Sequence, residues 1–328
     1  MAVTGSQERK NGYRRKLERL AGLELGDCFF DFPLARCSTW RIGGPADLLV
    51  EPRTPVQVAA LVAAVRQAGI PLVVIGQGSN LLFADAGLRG VVLRLGAKLA
   101  RIEVSGPRIF AEAGVWVPQL ARRTMQAGLA GLEHAIGIPG TLGGLVVMNG
   151  GSHRRGIGEL VRKVRVVDRE GVFAVLDRQA CRFGYRQSAL QGTGAVVVEV
   201  ELECPPGDRG AIRRQMLLDL RERRGKFPLK QPNCGSVFLS NAEMHATVGP
   251  PGRVIEEAGL KGVRIGGAEV SSRHANFIVN LGEASARDVL ALIGQVRQAV
   301  RARIGYELRC EVRYVRADGE ILPADQAG

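Results

Sequence analysis

Between Gly131 and Gly151 the chain reads GLEHAIGIPGTLGGLVVMNGG, a run of 21 residues of which seven are glycine. It restricts the fold more than any other stretch. Glycine gives up the most conformational freedom on ordering, while Pro139 fixes its own φ and pushes Ile138 toward an extended conformation, so neither a regular helix nor a strand is expected here. The expectation is a loop of exposed amide donors with the Thr141 hydroxyl beside them, suited to phosphate oxygens and anchored by the apolar LVVM that follows. The plain alternative is a tight turn between core elements.

A second loop has the same chemistry. The buried strand PLVVIG (71–76) runs directly into Gly76-Gln77-Gly78-Ser79-Asn80, which offers amides, a hydroxyl and a carboxamide at one point. No third glycine follows, and LLF continues as an extended apolar run instead of opening a helix, so the Rossmann fingerprint is absent. Either loop alone is weak evidence. Two phosphate-receptive loops in one chain favour a dinucleotide cofactor over two coincidental turns.

The composition agrees with an anionic ligand. Lys plus Arg exceed Asp plus Glu by 45 to 32, a formal charge of +13, whereas aromatics make up only 5% and are not interleaved with the basic residues. Stacking platforms for nucleic acid are therefore not expected, and a phosphorylated small molecule fits better. Six scattered cysteines show no C-x-x-C spacing, so neither a metal site nor a disulfide framework is indicated. No run of 18 uncharged apolar residues occurs. The expectation is a cytoplasmic protein without membrane or nucleic-acid partners.

Periodicity sketches the rest. Residues 1–12 read as a loose polar lead and Tyr13 to Leu25 as a helix with a basic face. Thr54 to Gly69 is a helix started by Thr-Pro and ended by glycine. Residues 100–205 alternate short strands with one helix from Pro118 to Ala127, giving an antiparallel or mixed sheet. A boundary falls near Pro205-Pro206-Gly207. Beyond it come helices over Asp208 to Arg224 and Gly252 to Gly259, and a strand from His274 to Asn280. A long helix from Ser285 to Gly305 opens on a capping box, and a last strand reads EVRYV.

Seven segments, in order, carry a resemblance: STWRIGGPADLLVEP, VIGQGSNLLFADAG, the glycine run, FGYRQS, PNCGSVF, IEEAGLKGVRIGGAEVSSRHANFIVN and CEVRYV. Together they resemble the UDP-N-acetylenolpyruvoylglucosamine reductase (MurB) family over roughly residues 35–316. The resemblance implies an α+β fold with an FAD-binding half of the p-cresol methylhydroxylase (PCMH) type and a C-terminal α+β substrate-binding domain. It divides the chain into a basic N-terminal segment (1–35), the FAD-binding domain (36–205, subdomains about 36–98 and 99–205) and the substrate domain (206–328).

It also implies the reaction: reduction of the enolpyruvyl ether of a UDP-sugar to UDP-N-acetylmuramate for peptidoglycan. Hydride passes from NADPH by way of FAD to carbon C3, and a proton is added at C2. Matching positions assign FAD binding to Arg41, Gly43, Gly76, Gly78, Ser79, Asn80, Ile138, Pro139, Gly140, Thr141, Gly143 and Gly144. Arg186, Ser236 and Glu311 match the catalytic positions. A cation and a hydrogen-bonding group suit the substrate carboxylate into which charge from C2 spreads, and a serine donates the proton. Tyr185, Lys261 and His274 match substrate-side positions. No metal is implied, and the protein is expected to be a monomer.

The chain departs from the family pattern in several places. Leu239-Ser240-Asn241 stands where the family has Lys-Asn-Pro, Arg309-Cys310 where it has Glu-Pro, and His153 where it has tyrosine. No tyrosine lies between Tyr185 and Tyr306, which resembles the shorter type that lacks a tyrosine-bearing loop. Two alternatives stay open. One is another flavoprotein on the same FAD-binding half. The other is a nucleotide-sugar binding protein that has lost its chemistry.

Overall fold

The computed structural model describes residues 2–327, with side chains from Gly12 onward. Helix α1 (Ala2–Ala21) takes in both the polar lead, expected to be loose, and the helix expected from Tyr13; it stops before Gly22, short of Leu25. Strand β1 (Asp27–Pro33) had no clear sequence signal. It pairs antiparallel with β2 (Pro45–Glu51). Helix α2 (Pro55–Ala68) follows, with the Thr54 side chain accepting from the Gln57 N–H and Gly69 closing it in the left-handed region. Next come β3 (Leu72–Ile75), β4 (Leu81–Phe83) and β5 (Leu88–Arg94).

The first sheet has the order β1-β2-β5-β3, with β2, β5 and β3 parallel. Both of its faces are covered. Leu48, Val50, Val91 and Leu93 face one apolar cluster, and Ala46, Leu49, Val73 and Val92 face another. That is why these strands read as continuous apolar runs and not as alternating ones.

The second sheet is built from β6 (Ile102–Ser105) and β7 (Arg108–Glu112), then, beyond the glycine run, β10 (Val161–Val167), β11 (Phe173–Asp177) and β12 (Val196–Glu203). Its order is β11-β10-β12-β7-β6 and every pairing is antiparallel. Between β7 and β10 lie α3 (Val117–Gln126), α4 (Leu142–Val147) and a small hairpin of β8 (Gly151–Ser152) and β9 (Arg155–Gly156).

Helix α4 corrects the expectation for the glycine run. Thr141 stands at its N-cap, and the Gly143 and Leu142 amides donate to the carbonyls of Ala113 and Val115 at 2.8 Å. Tertiary hydrogen bonds and apolar packing, with Leu142 and Val146 buried in the main cluster, outweigh the low intrinsic helix propensity of the two glycines.

After Asp208, which caps it, α5 (Arg209–Lys226) leads to α6 (Ala242–Thr247), missed from sequence because it is so short, and α7 (Pro251–Glu257). Strands β13 (Arg264–Ile265), β14 (Ala268–Val270) and β15 (Ile278–Asn280) form an antiparallel sheet against α8 (Ala286–Ile304). The strand expected from His274 is thus shorter: residues 274–277 form a turn, closed by the Phe277 N–H on the His274 carbonyl at 3.0 Å.

The chain then returns to its first half. Strand β16 (Arg313–Val315) pairs antiparallel with β17 (Ile321–Pro323) and parallel with β4, Arg313 opposite Leu81. In the other direction Trp40, Ile42 and Leu82 sit in the apolar cluster of the C-terminal part. Trp40 is fully buried; its indole N–H donates to the Ile278 carbonyl at 2.7 Å, and the Asn280 amide donates to the Trp40 carbonyl at 2.9 Å.

Candidate active site

The two glycine loops meet. A Cβ on Gly76 would run into the Thr141 hydroxyl, so only glycine lets the strand end and α4 approach so closely. Gly78 has φ +60°, and a side chain there would strike the Cys37 carbonyl. The Ser79 hydroxyl lies beside Gly140. Among the described residues, the amides of Gln77, Gly78, Ser79 and Asn80 donate to no protein acceptor. Four unspent donors in a cradle closed to side chains fit the diphosphate of a dinucleotide.

The returning strand brings a carboxylate to the same place. The Arg313 N–H donates to the Asn80 carbonyl at 3.0 Å, and the Asn80 carboxamide donates to the Glu311 carbonyl at 3.1 Å. The Glu311 N–H in turn donates to the Val237 carbonyl at 2.8 Å, placing the Glu311 backbone beside the residue that follows Ser236. The Ser236 segment is held from behind by Asn276: the Val237 N–H donates to its carbonyl at 2.9 Å, and its carboxamide both accepts from and donates to the Phe238 backbone, at 2.9 and 3.0 Å. Asn276 is buried, and nothing in the sequence singles it out.

Arg186 arrives from the second sheet. It lies in a turn in which Gly184 and Gln187 exchange backbone hydrogen bonds, and its Nε is 2.7 Å from Glu311 Oε1. The contact is close but is not an aligned hydrogen bond, because the buried Nε–H has no acceptor among the described residues. Arg186 Nη2 donates to the Gly151 carbonyl at 3.2 Å. Burial pushes the Glu311 carboxyl above its ordinary value, against the opposing effects of the Arg186 and Arg313 guanidiniums. Tyr185 packs its ring 5.6 Å from the Arg186 guanidinium carbon, with its hydroxyl against the Ser240 backbone.

Arg186, Ser236 and Glu311 are therefore brought together beside the glycine loops. Lys261 and His274 form a neighbouring group. Lys261 pairs with Glu256 at 2.6 Å. The His274 imidazole accepts from the Asn276 N–H and packs on Phe227 and Phe277. Burial, with help from Lys226 and Lys261, holds His274 below its ordinary pKa and so neutral. Gly43 packs against Phe83 and Leu34, and the Arg41 side chain is exposed; neither is drawn to the loops by a recorded contact.

The departures have local explanations. Asn241 caps α6 by accepting from the Met244 N–H, Cys310 is buried opposite Phe238, and His153 lies 3.7 Å from Asp219. A cleft of about 610 Å³ beside α5, lined by His134, His153, Ile212 and Asp219 among others, contains none of the three catalytic candidates. Sequence reasoning also missed Arg223, whose side chain presses on Gly137 with its Nε buried and unpartnered. It sits in the run RERR, where no sequence signal separates it from its exposed neighbours.

A loop of unspent amides on one half and a polar cluster where the second half meets it are the features expected of a two-domain FAD-binding oxidoreductase. Comparison agrees with each half: residues 46–177 match the FAD-binding domain family and 227–315 match the UDP-N-acetylenolpyruvoylglucosamine reductase C-terminal domain. UDP-N-acetylenolpyruvoylglucosamine reductase 1 of Corynebacterium glutamicum is 48% identical over 303 residues, 90% of each chain. The Heliobacterium modesticaldum reductase is 47% identical over 292 residues, 88% of this chain and 90% of that one. The crystal structure of the Thermus caldophilus enzyme superposes with a TM-score of 0.74 at 33% identity, covering 88% of this chain and 98% of that one. The chain belongs to the UDP-N-acetylenolpyruvoylglucosamine reductase (MurB) family, NADPH-dependent FAD enzymes of peptidoglycan precursor synthesis.

Proposed function

We propose that Arg186, Ser236 and Glu311 carry the second half of the reaction, the reduction of the enolpyruvyl UDP-sugar. The observation behind this is the 2.7 Å contact of Arg186 with a buried Glu311 whose N–H bonds to Val237, the residue after Ser236, next to the unspent amides. Bound FAD supplies the hydride, drawn from NADPH. Gly76, Gly78, Ser79 and Asn80 would hold its diphosphate, and residues 138–144 would supply further contacts to it. Charge that develops at C2 spreads into the substrate carboxylate, where Arg186 offers a fixed cation and Glu311, its neutral form favoured by burial, a hydrogen-bonding group. The Ser236 hydroxyl delivers the proton to C2, its acidity aided by that cationic, water-poor setting. Tyr185, Lys261 and His274 line the nucleotide-sugar side.

The domain limits near residues 36, 98 and 205, the shorter, tyrosine-loop-free subtype, a monomeric state and a cytoplasmic location belong to the same reading. Among the described residues, no helix is long and apolar enough to cross a membrane.

The test is an anaerobic titration. NADPH bleaches the flavin of Ser236→Ala at the parent rate, but recovery of colour on adding the enolpyruvyl UDP-sugar slows by roughly 10²- to 10⁴-fold. Recovery at the parent rate would remove Ser236 from the proton step.

A further inference from the structure

Arg186 holds φ +54°, a left-handed conformation that a residue with a side chain keeps only where its surroundings hold it. Three side chains do so, and all of them tie the turn to the end of α4. Gln191 Nε2 donates both to the Arg186 carbonyl and to the Val147 carbonyl, each at 3.0 Å. The Ser188 hydroxyl donates to the Val147 carbonyl at 2.6 Å. The Asn149 carboxamide donates to the Gly184 carbonyl at 2.7 Å and accepts from the Gly158 N–H at 2.9 Å.

We infer that Gln191 and Asn149 are positioning residues: they lock the turn that carries Arg186, so that its guanidinium faces Glu311 and the substrate carboxylate. The inference rests on the reading of Arg186 given above. Neither side chain is among the ligand contacts proposed above. Each acts on backbone carbonyls of the turn, and α4, to which they fasten it, starts at Thr141 in the glycine loop. At 1.5 Å per residue this six-residue helix is about 9 Å long, so one short rigid piece sets both the diphosphate cradle and the arginine.

The test compares Gln191→Leu, Asn149→Gly and Arg186→Ala with the parent enzyme. Glycine at 149 accepts the positive φ of that site, +41°, and removes the side chain with its carboxamide. In Gln191→Leu and Asn149→Gly, FAD content is unchanged and recovery of flavin colour by the UDP-sugar is slowed roughly 10- to 100-fold, the scale of a misplacement near 1 Å. The pH at which recovery fails also moves upward, because Glu311 loses the cation that offsets its burial. A change in packing alone would not move that pH. Parent-like recovery and pH dependence in both variants, alongside a slow Arg186→Ala, overturn the inference by itself. Parent-like recovery in Arg186→Ala overturns the reading of Arg186 and the inference with it. Should Gln191→Leu fail to hold FAD, Asn149→Gly decides.

Discussion

Glu311 is under two opposing influences. Burial favours its neutral form, and the Arg186 and Arg313 guanidiniums favour the charged one; burial is the larger. A carboxyl whose value is raised keeps its proton to higher pH and loses its donor function as pH rises through that value. Recovery of flavin colour by the UDP-sugar should therefore hold steady through the ordinary carboxylate range and decline above it. In Glu311→Gln, which keeps a donor and cannot ionise, that decline disappears; a pH series on both proteins measures it, and an unchanged decline in the variant would assign the titration to another group. At this scale the sequence was informative where a residue type is fixed by a motif, as for Arg186 in FGYR and Ser236 in GSVF. It was silent on Asn149, Asn276 and Arg223, whose importance comes from partners 9 to 86 residues away in the chain.

Elements were legible when they carried their own start and stop signals. Helix α8 is bounded by Ser285 and Gly305, as the sequence indicates: Ser285 Oγ accepts from the Asp288 N–H at 3.1 Å, and Asp288 accepts from the Ser285 N–H at 2.9 Å. The structure adds a second cap from a distant segment, with the Asp85 carboxylate accepting from the Ala286 N–H at 2.7 Å. Ser285→Ala is expected to lower stability by about 1 kcal/mol in urea unfolding. Hydrogen bonds from the Ser285 backbone hold the Asp288 carboxyl below its ordinary value, so its contribution is present above that ordinary value and lost as pH falls. An unchanged unfolding midpoint in the variant would mean that Asp85 suffices as the cap. Strands β1 and β17 and helix α6 were not legible, because short segments of mixed polarity are defined by the strand or cluster they join. Helix α4 was not legible, because tertiary hydrogen bonds from Leu142 and Gly143, and not the local glycine content, decide it.

For the whole molecule the decisive contacts run between segments far apart in the chain. Trp40 fills the core of the C-terminal part and is bonded at both ends of its residue to β15. Trp40→Ala should cost about 3–5 kcal/mol through the cavity it leaves. Because it loosens the two parts against each other, FAD should also dissociate at lower denaturant than unfolding requires. Coincident loss of FAD and of fold, at a midpoint close to the parent's, would show the two parts to be joined by other means. The pairing of β16 with β4 has a consequence for biosynthesis. The strand that follows the 76–80 loop finds its parallel neighbour more than 220 residues later, so a nascent chain cannot finish the first half before residue 315 has left the ribosome. Until then Leu81–Phe83 presents an open edge, and completion of this half waits on closure of one very long loop, a step slower than the local pairing of neighbouring strands.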